Sequence, residues 1–425
     1  MFKKYIQAKL ERSVKKYFKK HPEVKLIAVV GSVGKTTTKV AIGTVLAERF
    51  RIGLNEGNHN SELSAPLAIL GIEFPEDIRS IRQWLTVFKA VKKRIQWPSG
   101  VDVIIQELGT DGVGQIPHFG TYLNPDITVV TSVAPEHMEF FKTMDAVAAE
   151  ELSAVAFSKS ALINRDDVAG VYAQHITNPN INTYGSTDVA EYRFSSEDQT
   201  FENGFTGHFI APEFPNPVPT TLHVLGEHST RAAAAAGAIG AKLGLTPDEI
   251  AKGMEKIRPV NGRMNMLRGT DNTWILDDSY NASPTAVASA LRTLYQMNVP
   301  QRIAVLGTMN ELGAMSKEAH EYVGQLCDGS HLSYVITVGA EAEAYITKPA
   351  QTNGCQVLNA KNAIEAGGLV NKYLEPGGVA LFKGSQGGIY LEEGVKVVLH
   401  STEDEVKLVR QSPEWLEKKR AFFSE

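Results

Sequence analysis

An apolar run, a glycine-rich loop and a helical pattern follow one another near the start of this chain and restrict its fold more than any other stretch. Residues 25–30 read KLIAVV, residues 31–34 read GSVG, and a helical pattern then begins with Lys-Thr-Thr-Thr. Glycines let the backbone approach phosphate oxygens, and N–H groups of the loop and of the helix N-terminus supply positive potential. The unit predicts a phosphate-binding loop, with Lys35 on the terminal phosphates and the Thr36 hydroxyl on Mg²⁺. The alternative is an ordinary turn between a strand and a helix.

Further apolar runs alternate with helical patterns, which is typical of a mostly parallel sheet covered by helices on both faces. The candidate strands of this first unit are VDVIIQELG at 101–109, DITVVTSV at 126–133, SALIN at 160–164 and TTLHVLG at 220–226. A polar, aromatic stretch around 185–220 predicts short antiparallel strands added to the sheet. A second α/β unit begins after residue 262, with candidate strands TWILDDSY, RIAVLG, YVITVG and GGVALFKGS. The predicted ranges are 1–25, 26–262 and 263–425.

Composition excludes several classes of protein. The chain has 425 residues, of which 43% are hydrophobic and 21% charged, and a net charge of −5. These values are typical of a soluble globular protein of two or three domains with no overall affinity for nucleic acid. Its cysteines, Cys327 and Cys355, lack metal-binding spacing, so we expect a reducing cytoplasm and no disulfide framework. No apolar run approaches the roughly 20 residues needed to span a bilayer, and no signal peptide is expected.

The first 25 residues predict a basic amphipathic helix. They contain nine Lys or Arg against Glu11 and Glu23, and apolar residues recur near helical spacing at Phe2, Ile6, Leu10, Val14 and Tyr17. One interpretation is peripheral contact with an anionic membrane surface or an acidic substrate. The other is a solvated helix that packs its apolar stripe on the next domain.

Two polar residues of the first unit follow predicted strands. Glu107 ends the run VDVIIQE, and ligands of open parallel sheets collect at the carboxyl ends of the strands. A carboxylate there is costly to bury unless it binds a cation, so Glu107 is a candidate Mg²⁺ ligand; the alternative is a helix-capping or turn carboxylate. His137 lies at the same predicted edge, but a lone loop histidine is more often a satisfied residue than a ligand.

The second unit offers three further candidates. Its first strand ends in the acid pair Asp277 and Asp278, which could bind ribose hydroxyls or metal but is also common in turns. Arg263 lies in the segment joining the two units, where an arginine could fold over phosphates on closure. Lys383 follows a later strand, in FKGS, which could also be a simple turn.

Together these segments resemble the Mur ligase family of ATP-dependent enzymes, and most closely the branch that adds D-alanyl-D-alanine to a cell-wall precursor. The stretches that carry the resemblance occur in the family's order over roughly residues 26–395. They are GSVGKTTTK, GNHNSELSAPLAIL, ELGTDGVGQI, TSVAPEHMEFF, ALINRDD, LGEH, GRM, DDSYNASP, VLGTMNELG and LFKGSQGG.

The resemblance implies a central P-loop ATPase domain and a C-terminal Rossmann-like domain that closes over it. It implies ATP and Mg²⁺ as cofactors, and as substrates a UDP-N-acetylmuramoyl-tripeptide and the dipeptide D-Ala-D-Ala, joined through an acyl phosphate. Thr36 and Glu107 would hold one Mg²⁺ and His137 a second. Lys383 would face the acyl phosphate. The implied nucleotide contacts are Gly31, Ser32, Val33, Gly34, Lys35, Thr36, Thr37, Arg263 and Asp278.

The chain departs from the family pattern at three places. No lysine occurs between Lys142 and Lys159, where the family carries a carbamylated lysine on the second metal. Glu150 or Glu151 would supply that carboxylate directly, and Glu151 is the predicted ligand. Ser229 and Ala232 stand where the family has asparagines near the adenine. About 25 residues precede the ATPase core in place of the usual domain that grips uridine diphosphate.

These departures leave two other functions open. One is a Mur-like amide ligase for a different carboxylate and amine. The other is a nucleotide-binding protein that does not ligate, against which the intact Gly34-Lys35-Thr36, Glu107 and His137 argue.

Overall fold

The computed structural model describes residues 2–55, 59–98 and 100–424, so the first residues of the stretch GNHN at 57–60 lie outside the described residues. Within these ranges the chain forms two β-sheets, each flanked by helices. The strands of the first sheet are β1 (Lys25–Val30), β2 (Ile52–Leu54), β3 (Val103–Glu107), β4 (Ile127–Val130), β5 (Ser160–Asn164), β6 (Ile181–Gly185), β7 (Tyr192–Thr200), β8 (Gly204–Ile210) and β9 (Val218–Leu222). Its helices are α1 (Phe2–Lys20), α2 (Lys35–Leu46), α3 (Ser64–Leu70), α4 (Ile81–Gln96), α5 (Gln115–Gly120), α6 (Met138–Phe141), α7 (Met144–Ala156), α8 (Glu227–Lys242) and α9 (Pro247–Glu255).

The first sheet is parallel through its centre and antiparallel at one side. Its strand order is β2-β3-β1-β4-β5-β6-β7-β8-β9, with parallel pairing as far as β7 and antiparallel pairing of β7 with β8 and of β8 with β9. The expectation of short antiparallel strands around 185–220 is therefore confirmed. The strand predicted at 220–226 ends earlier, at Leu222.

Strand β1 lies inside the first sheet and is apolar from Leu26 onwards because both of its faces are covered. Leu26, Ala28 and Val30 pack in the core on one face, and Ile27 and Val29 pack in the core on the other. Successive side chains of a strand point to opposite faces, so a strand covered on both sides is apolar throughout. This burial fixes β1 between β3 and β4, and with it the position of the loop that follows.

Helix α1 packs against α3 and α4, on the face of the sheet that also receives Leu26. Ile6, Leu10, Val14 and Tyr17 are buried there with exposures of 2% or less. The four lie on one stripe because helical residues three or four apart share a face. The interpretation of a helix that packs its apolar stripe on the next domain is thus confirmed for these four residues, whereas Phe2, which the spacing also placed on the stripe, is 44% exposed. Among the described residues, the structure contains no helix long and apolar enough to cross a membrane.

The second sheet has the order β10-β11-β15-β12-β13-β14, antiparallel between the first two strands and parallel elsewhere. Edge strands β10 and β14 were not predicted from the sequence, because short, partly exposed strands lack a continuous apolar run. The elements are β10 (Asn265–Arg268), β11 (Trp274–Asp277), α10 (Pro284–Gln296), β12 (Arg302–Gly307), α11 (Ser316–Leu326), β13 (Tyr334–Val338), α12 (Ala340–Thr352), β14 (Gln356–Ala360), α13 (Ala363–Tyr373), β15 (Val379–Lys383), α14 (Leu391–Val398) and α15 (Pro413–Ser424).

The two units are in direct contact. The backbone N–H of Glu139 in the first unit donates to the carbonyl of Glu311 in the second, 3.3 Å away. Phe201 packs edge-on against Trp274, with ring centroids 5.4 Å apart. The expected α/β architecture with two successive sheets is confirmed, whereas the boundaries at residues 25 and 262 stay predictions.

Candidate functional site

The glycine-rich loop connects β1 to α2 in a geometry that only glycine allows at its first position. Gly31 has φ of +121° and Gly34 φ of +89°, both in the region that disfavours side chains. A Cβ at Gly31 would lie 2.3 Å from the Thr131 hydroxyl. The loop therefore passes directly against the end of β4, and Lys35 begins the helix behind it.

The residues between the glycines are fixed by the segment that follows β4. Ser32 N–H donates to the Ser132 carbonyl at 3.0 Å, and Val33 N–H donates to the Ser132 hydroxyl at 2.8 Å. The Ser32 hydroxyl in turn accepts from Ala134 N–H at 3.0 Å. These bonds join two strand ends and hold the loop in place at the N-terminus of α2, and a helix N-terminus is a position that suits phosphate oxygens.

Lys35 lies over the loop and is surrounded by carboxylates. Its Nζ donates to the carbonyls of Gly31 and Ser32 and lies 3.5 Å from Oε2 of Glu136. Burial acts to lower the pKa of Lys35, but the negative charges of Glu136, Glu151 and Glu107 outweigh it and raise the pKa above its usual value. The ammonium therefore stays charged, as phosphate binding requires.

Thr36 and Glu107 meet as the sequence predicted. The Thr36 hydroxyl donates to Oε2 of Glu107 at 2.9 Å, and Glu107 is only 3% exposed at the end of β3. Two cations approach the pair: Nζ of Lys39 lies 3.9 Å from Oε2 of Glu107, and Nη2 of Arg263 donates to the Thr36 hydroxyl at 3.2 Å. A hydroxyl beside a carboxylate is an oxygen donor set that suits Mg²⁺.

His137 lies in an acidic cluster that includes one residue of the second unit, Glu311. Its Nδ1 is 2.8 Å from Oε2 of Glu311, and its Nε2 is 3.5 Å from Glu136 and 3.7 Å from Asp111. Burial acts to lower the pKa of His137, but Glu311 and Glu136 outweigh it and raise the pKa. Across the described residues, no three His, Cys, Asp or Glu side chains are arranged to share one metal ion. His137 as a metal ligand stays a prediction.

Glu150 and Glu151 on α7 have separate roles in the structure. Glu150 accepts from the N–H groups of Gly114 and Ile116, both at 2.7 Å, and so holds the loop after β3. Glu151 accepts from Gly31 N–H at 2.7 Å and contacts the phosphate loop directly. Burial is the main reason that the pKa of Glu151 is raised to about 7. Of the two, only Glu151 is bonded to the phosphate loop, and its role as a metal ligand stays a prediction.

The second unit contributes an ion pair between neighbouring strand ends. Nζ of Lys383 at the end of β15 lies 2.6 Å from Oδ2 of Asp278, which follows β11, and donates to the Asn281 carbonyl at 3.0 Å. Oδ1 of Asp278 accepts from Met264 N–H at 3.2 Å. The carboxylate thus ties the strand end to the segment that carries Arg263.

Arg263 connects the two units. Its guanidinium stacks 4.2 Å from the centroid of the Tyr280 ring while Nη2 reaches Thr36. Its Nε is buried without a hydrogen-bond partner among the described residues. A buried donor without an acceptor is costly, so this nitrogen is suited to an anionic ligand oxygen.

One cavity of about 1030 Å³ contains these groups. The site residues predicted from the sequence that line it are Ser32, Val33, Gly34, Lys35, Thr36, Thr37, Glu107, His137, Arg263, Asp278 and Lys383. Gly31 and Glu151, which are bonded to each other, are not among the residues that line it. Ala232 also lines the cavity, whereas the Ser229 hydroxyl donates to the carbonyl of Leu225, which precedes α8.

Several residues that complete the site were not predicted from the sequence. Glu136 and Glu311 were hidden inside the stretches TSVAPEHMEFF and VLGTMNELG, and only the fold shows that they flank one histidine. Lys39 lies one helical turn after Lys35, a spacing that could have placed it on the same face of α2. Arg231 bonds to the acids of ALINRDD and has no local signal in the sequence.

His228, from the stretch LGEH, provides a pH-dependent test of this arrangement. Its pKa is lowered to about 4, chiefly by burial, with Lys383, Arg231 and Arg263 acting in the same direction and Asp278 opposing them. The unfolded chain binds a proton on this histidine below about pH 6.5, whereas the folded chain does not. We therefore expect stability to be lost as the pH falls from 6.5 towards 4. Urea unfolding at several pH values should show a smaller acid loss in His228→Gln, and an equal loss would contradict a neutral imidazole in the folded protein.

Comparison with known proteins agrees with this geometry. Residues 29–240 match the family described as Mur ligase middle domain, and residues 262–386 match the one described as Mur ligase, glutamate ligase domain. The UDP-N-acetylmuramoyl-tripeptide--D-alanyl-D-alanine ligase of Bacillus subtilis (strain 168) is 26% identical over 89% of this chain and 76% of its own length. The ligase of the same name from Escherichia coli (strain K12) is 28% identical over 76% of this chain. The chain spans 66% of that relative's length.

A solved structure shows the same fold. The MurF ligase of Thermotoga maritima in complex with ADP superimposes with a TM-score of 0.75 at 22% identity, covering 94% of this chain and 84% of its own. The two matched families, adjacent in the chain, coincide with the two sheets whose strand ends form the cavity. The chain belongs to the Mur ligase family, whose members are ATP-dependent, ADP-forming peptide ligases.

Proposed function

We propose that this protein is an ADP-forming carboxylate–amine ligase that adds D-alanyl-D-alanine to a UDP-N-acetylmuramoyl-tripeptide. The observation that carries the proposal is the bond from Arg263 to Thr36. It brings the nucleotide-binding elements of both sheets into one cavity large enough for a nucleotide and an acceptor. The relatives from Bacillus subtilis and Escherichia coli, which carry the name of this activity, support the choice of substrates.

The proposed ATP site consists of hydrogen-bond donors and cations for the phosphates and a carboxylate for the ribose. The N-terminus of α2, which begins at Lys35, would receive the phosphates, with the side chains of Lys35 and Arg263 offsetting their negative charge. The buried, unpartnered Nε of Arg263 fits such an anion. Asp278, now paired with Lys383, would contact the ribose. The ADP complex of the Thermotoga maritima relative supports this assignment.

We propose that Mg²⁺ binds at Thr36 and Glu107. Their oxygens lie 2.9 Å apart beside the phosphate loop, and hydroxyl and carboxylate oxygens are preferred Mg²⁺ ligands. The ion would neutralise charge on the phosphates during transfer. His137, which lines the cavity, is proposed for a second ion, whereas Glu151 is bonded to Gly31 and stays only a sequence prediction as its other ligand. That role requires His137 to give up its proton, because only a neutral imidazole binds a metal.

The proposed reaction has two balanced steps. A carboxylate oxygen of the tripeptide attacks the γ-phosphorus of ATP, which gives an acyl phosphate and ADP. The amine of the dipeptide then attacks the acyl carbon, phosphate leaves with the bonding electrons, and the amine loses a proton. Such transfers need positioning and charge neutralisation more than covalent help. Lys35 and Arg263 supply that charge.

The experiment measures ADP release with the tripeptide acceptor, with and without D-Ala-D-Ala. We expect release to require both substrates at steady state and the product to contain one new amide bond by mass spectrometry. The matched control is L-Ala-L-Ala, which tests the chirality of the amine site. ADP release that never depends on an amine would refute ligation.

A second candidate is an amide ligase for another carboxylate and amine. It is favoured by three other lining residues of the cavity, namely Lys3 of α1, Glu62 and Phe74. A wall of this composition suits an acceptor with an anionic and an apolar part. Coupled ADP detection with a panel of acceptors would favour this candidate if the muramoyl-tripeptide were inactive and another carboxylate active.

A further inference from the structure

The outer sides of α1 and α4 carry a high concentration of positive charge. Helix α1 contains eight Lys or Arg and a single acid, and α4 contains five with no acid, although the whole chain has a net charge of −5. Among the described residues, none of these cations pairs with a carboxylate. The acid of α1, Glu11, is turned towards α5, because its Oε1 lies 2.7 Å from Nε2 of His118. No ion pair among the described residues therefore neutralises this positive charge, although Glu73 and Glu76 line a groove together with Lys93 and Arg94.

Side-chain contacts show that the two helices lie next to each other and run in the same direction. Nζ of Lys9 lies 3.7 Å from the centroid of the Phe88 ring and 5.9 Å from that of Tyr5. Farther along, Nζ of Lys20 donates to the Gln96 carbonyl at 3.4 Å. The first half of α1 thus contacts the middle of α4, and the ends of both helices meet. They present one continuous surface.

The buried stripes determine which residues face outwards. In α4, Trp84, Val87 and Val91 are buried, as Leu10 and Val14 are in α1. Residues on the opposite side of a helix with 3.6 residues per turn point to solvent. We call these outward cations the basic face; they are Lys4, Arg12, Lys15, Lys19, Arg82, Lys89 and Lys93, all exposed.

Large apolar side chains lie exposed among these cations. Tyr5 is 58% exposed, Ile81 67%, Leu85 66% and Trp97 69%. Tyr5 and Phe88 share Lys9, which places apolar groups of both helices at their junction. A polyanion such as RNA would engage the cations but would leave Ile81 and Leu85 in water. A lipid interface accommodates both, because headgroups attract Lys and Arg while aliphatic and aromatic side chains enter the acyl boundary.

We propose that the basic face, with Tyr5, Ile81, Leu85 and Trp97 as apolar contacts, docks peripherally on membranes that contain anionic lipids. The apolar stripe of α1 takes no part, because it is buried in the core. Docking through the outer side of α1 keeps its inner side, which carries Lys3, at the wall of the cavity. The protein would therefore bind the membrane through one side of α1 and leave the cavity accessible.

The test is co-sedimentation of the full chain with vesicles of phosphatidylcholine, alone or mixed with equal parts of phosphatidylglycerol. We expect binding only to the anionic vesicles, and its loss in high salt, where the screening length falls to about 3 Å at 1 M. The triple variant Arg82→Glu, Lys89→Glu, Lys93→Glu should bind about a hundredfold more weakly. Failure of the wild type to bind anionic vesicles at low salt would overturn the proposal.

The matched control reverses three exposed lysines away from the basic face, at Lys252, Lys348 and Lys361. It has the same net charge as the triple variant and should bind like the wild type. Equal weakening in both would mean that only net charge matters and would overturn the assignment. A cooperative thermal unfolding transition in each variant would show that the variant is folded.

A second variant separates lipid from polyanion binding. Ile81→Ser with Leu85→Ser keeps every charge, and we expect it to bind anionic vesicles at least about fivefold more weakly, since apolar contacts contribute to interfacial binding. Its affinity for a generic RNA should equal that of the wild type. Unchanged vesicle binding, together with RNA binding that depends on the basic face, would assign the surface to nucleic acid instead.

Discussion

Replacing Lys35 by alanine is expected to lower ADP-forming turnover by about a thousandfold, the loss typical of removing one preorganised charge partner from a transferring group. Lys35 is held at the start of α2, over the phosphate loop, and the carboxylates around it raise its pKa, so it is charged at neutral pH. Alanine would leave the negative charge of the phosphates and of Glu136 without this cation. Coupled detection of ADP in the presence of both substrates measures the effect.

Lys25→Ala is the matched control for that substitution. Lys25 begins β1, the strand that leads into the loop, and its side chain is 45% exposed and 3.5 Å from Asp126. An exposed pair of this kind contributes little, so turnover should change by less than about twofold. If Lys35→Ala retained full turnover, the loop would not bind the transferring phosphate and the proposed function would fail.

Replacing Arg410 by alanine is expected to lower the free energy of unfolding by about 3–5 kcal/mol, because it removes the main partner of a buried charge. Glu392 on α14 is wholly buried, and both of its oxygens accept from the Arg410 guanidinium at 2.7 Å. Lys419 of α15 remains, but its Nζ is 3.4 Å from Glu392 and is shared with Glu393. Urea unfolding measures the loss.

The same substitution should also affect catalysis through Arg263. Arg410 donates to the carbonyls of Ser279 at 2.9 Å and Tyr280 at 3.0 Å, and so holds the segment after β11. The Tyr280 ring lies between the two arginines, 4.2 Å from Arg263 and 5.7 Å from Arg410. Small displacements of positioned groups are costly in rate. We expect kcat to fall about tenfold at a temperature where both proteins are folded, with KM for the acceptor little changed.

Two further variants make the result for Arg410 specific. Arg268→Ala removes an exposed arginine from the edge strand β10 and should leave both stability and kcat unchanged. Arg410→Lys keeps the charge but loses the two-pronged geometry, so it should restore only part of the stability. Wild-type unfolding behaviour in Arg410→Ala would show that the buried network does not stabilise the second unit.

Much of the site could be predicted from sequence because its parts are local. The loop between Gly31 and Gly34 is recognisable from its glycines, and Glu107 ends an apolar strand. Carboxyl ends of parallel strands converge at one edge of a sheet, so local patterns suffice to bring these residues together. The bond between Thr36 and Glu107 shows that this inference was sound.

Residues that act through distant contacts could not be found in this way. Arg410 lies more than a hundred residues beyond the segment that it holds, and Glu311 reaches His137 from the other unit. Nothing in local periodicity encodes such pairs, because they depend on how the two sheets pack. Glu150 and Glu151 were likewise indistinguishable by sequence, although one bonds to the loop at Gly114 and the other to Gly31.

The sequence by itself determined the α/β class, the phosphate loop and the family, since each depends on short ordered patterns of apolar residues, glycines and strand-end polar groups. Only the tertiary structure decided that α1 buries its apolar stripe and presents its cations beside those of α4. It also decided that Arg263 meets Thr36 across the two units. The physical reason is the same in both cases: a side chain's neighbours depend on the packing of whole elements, which a local pattern does not specify.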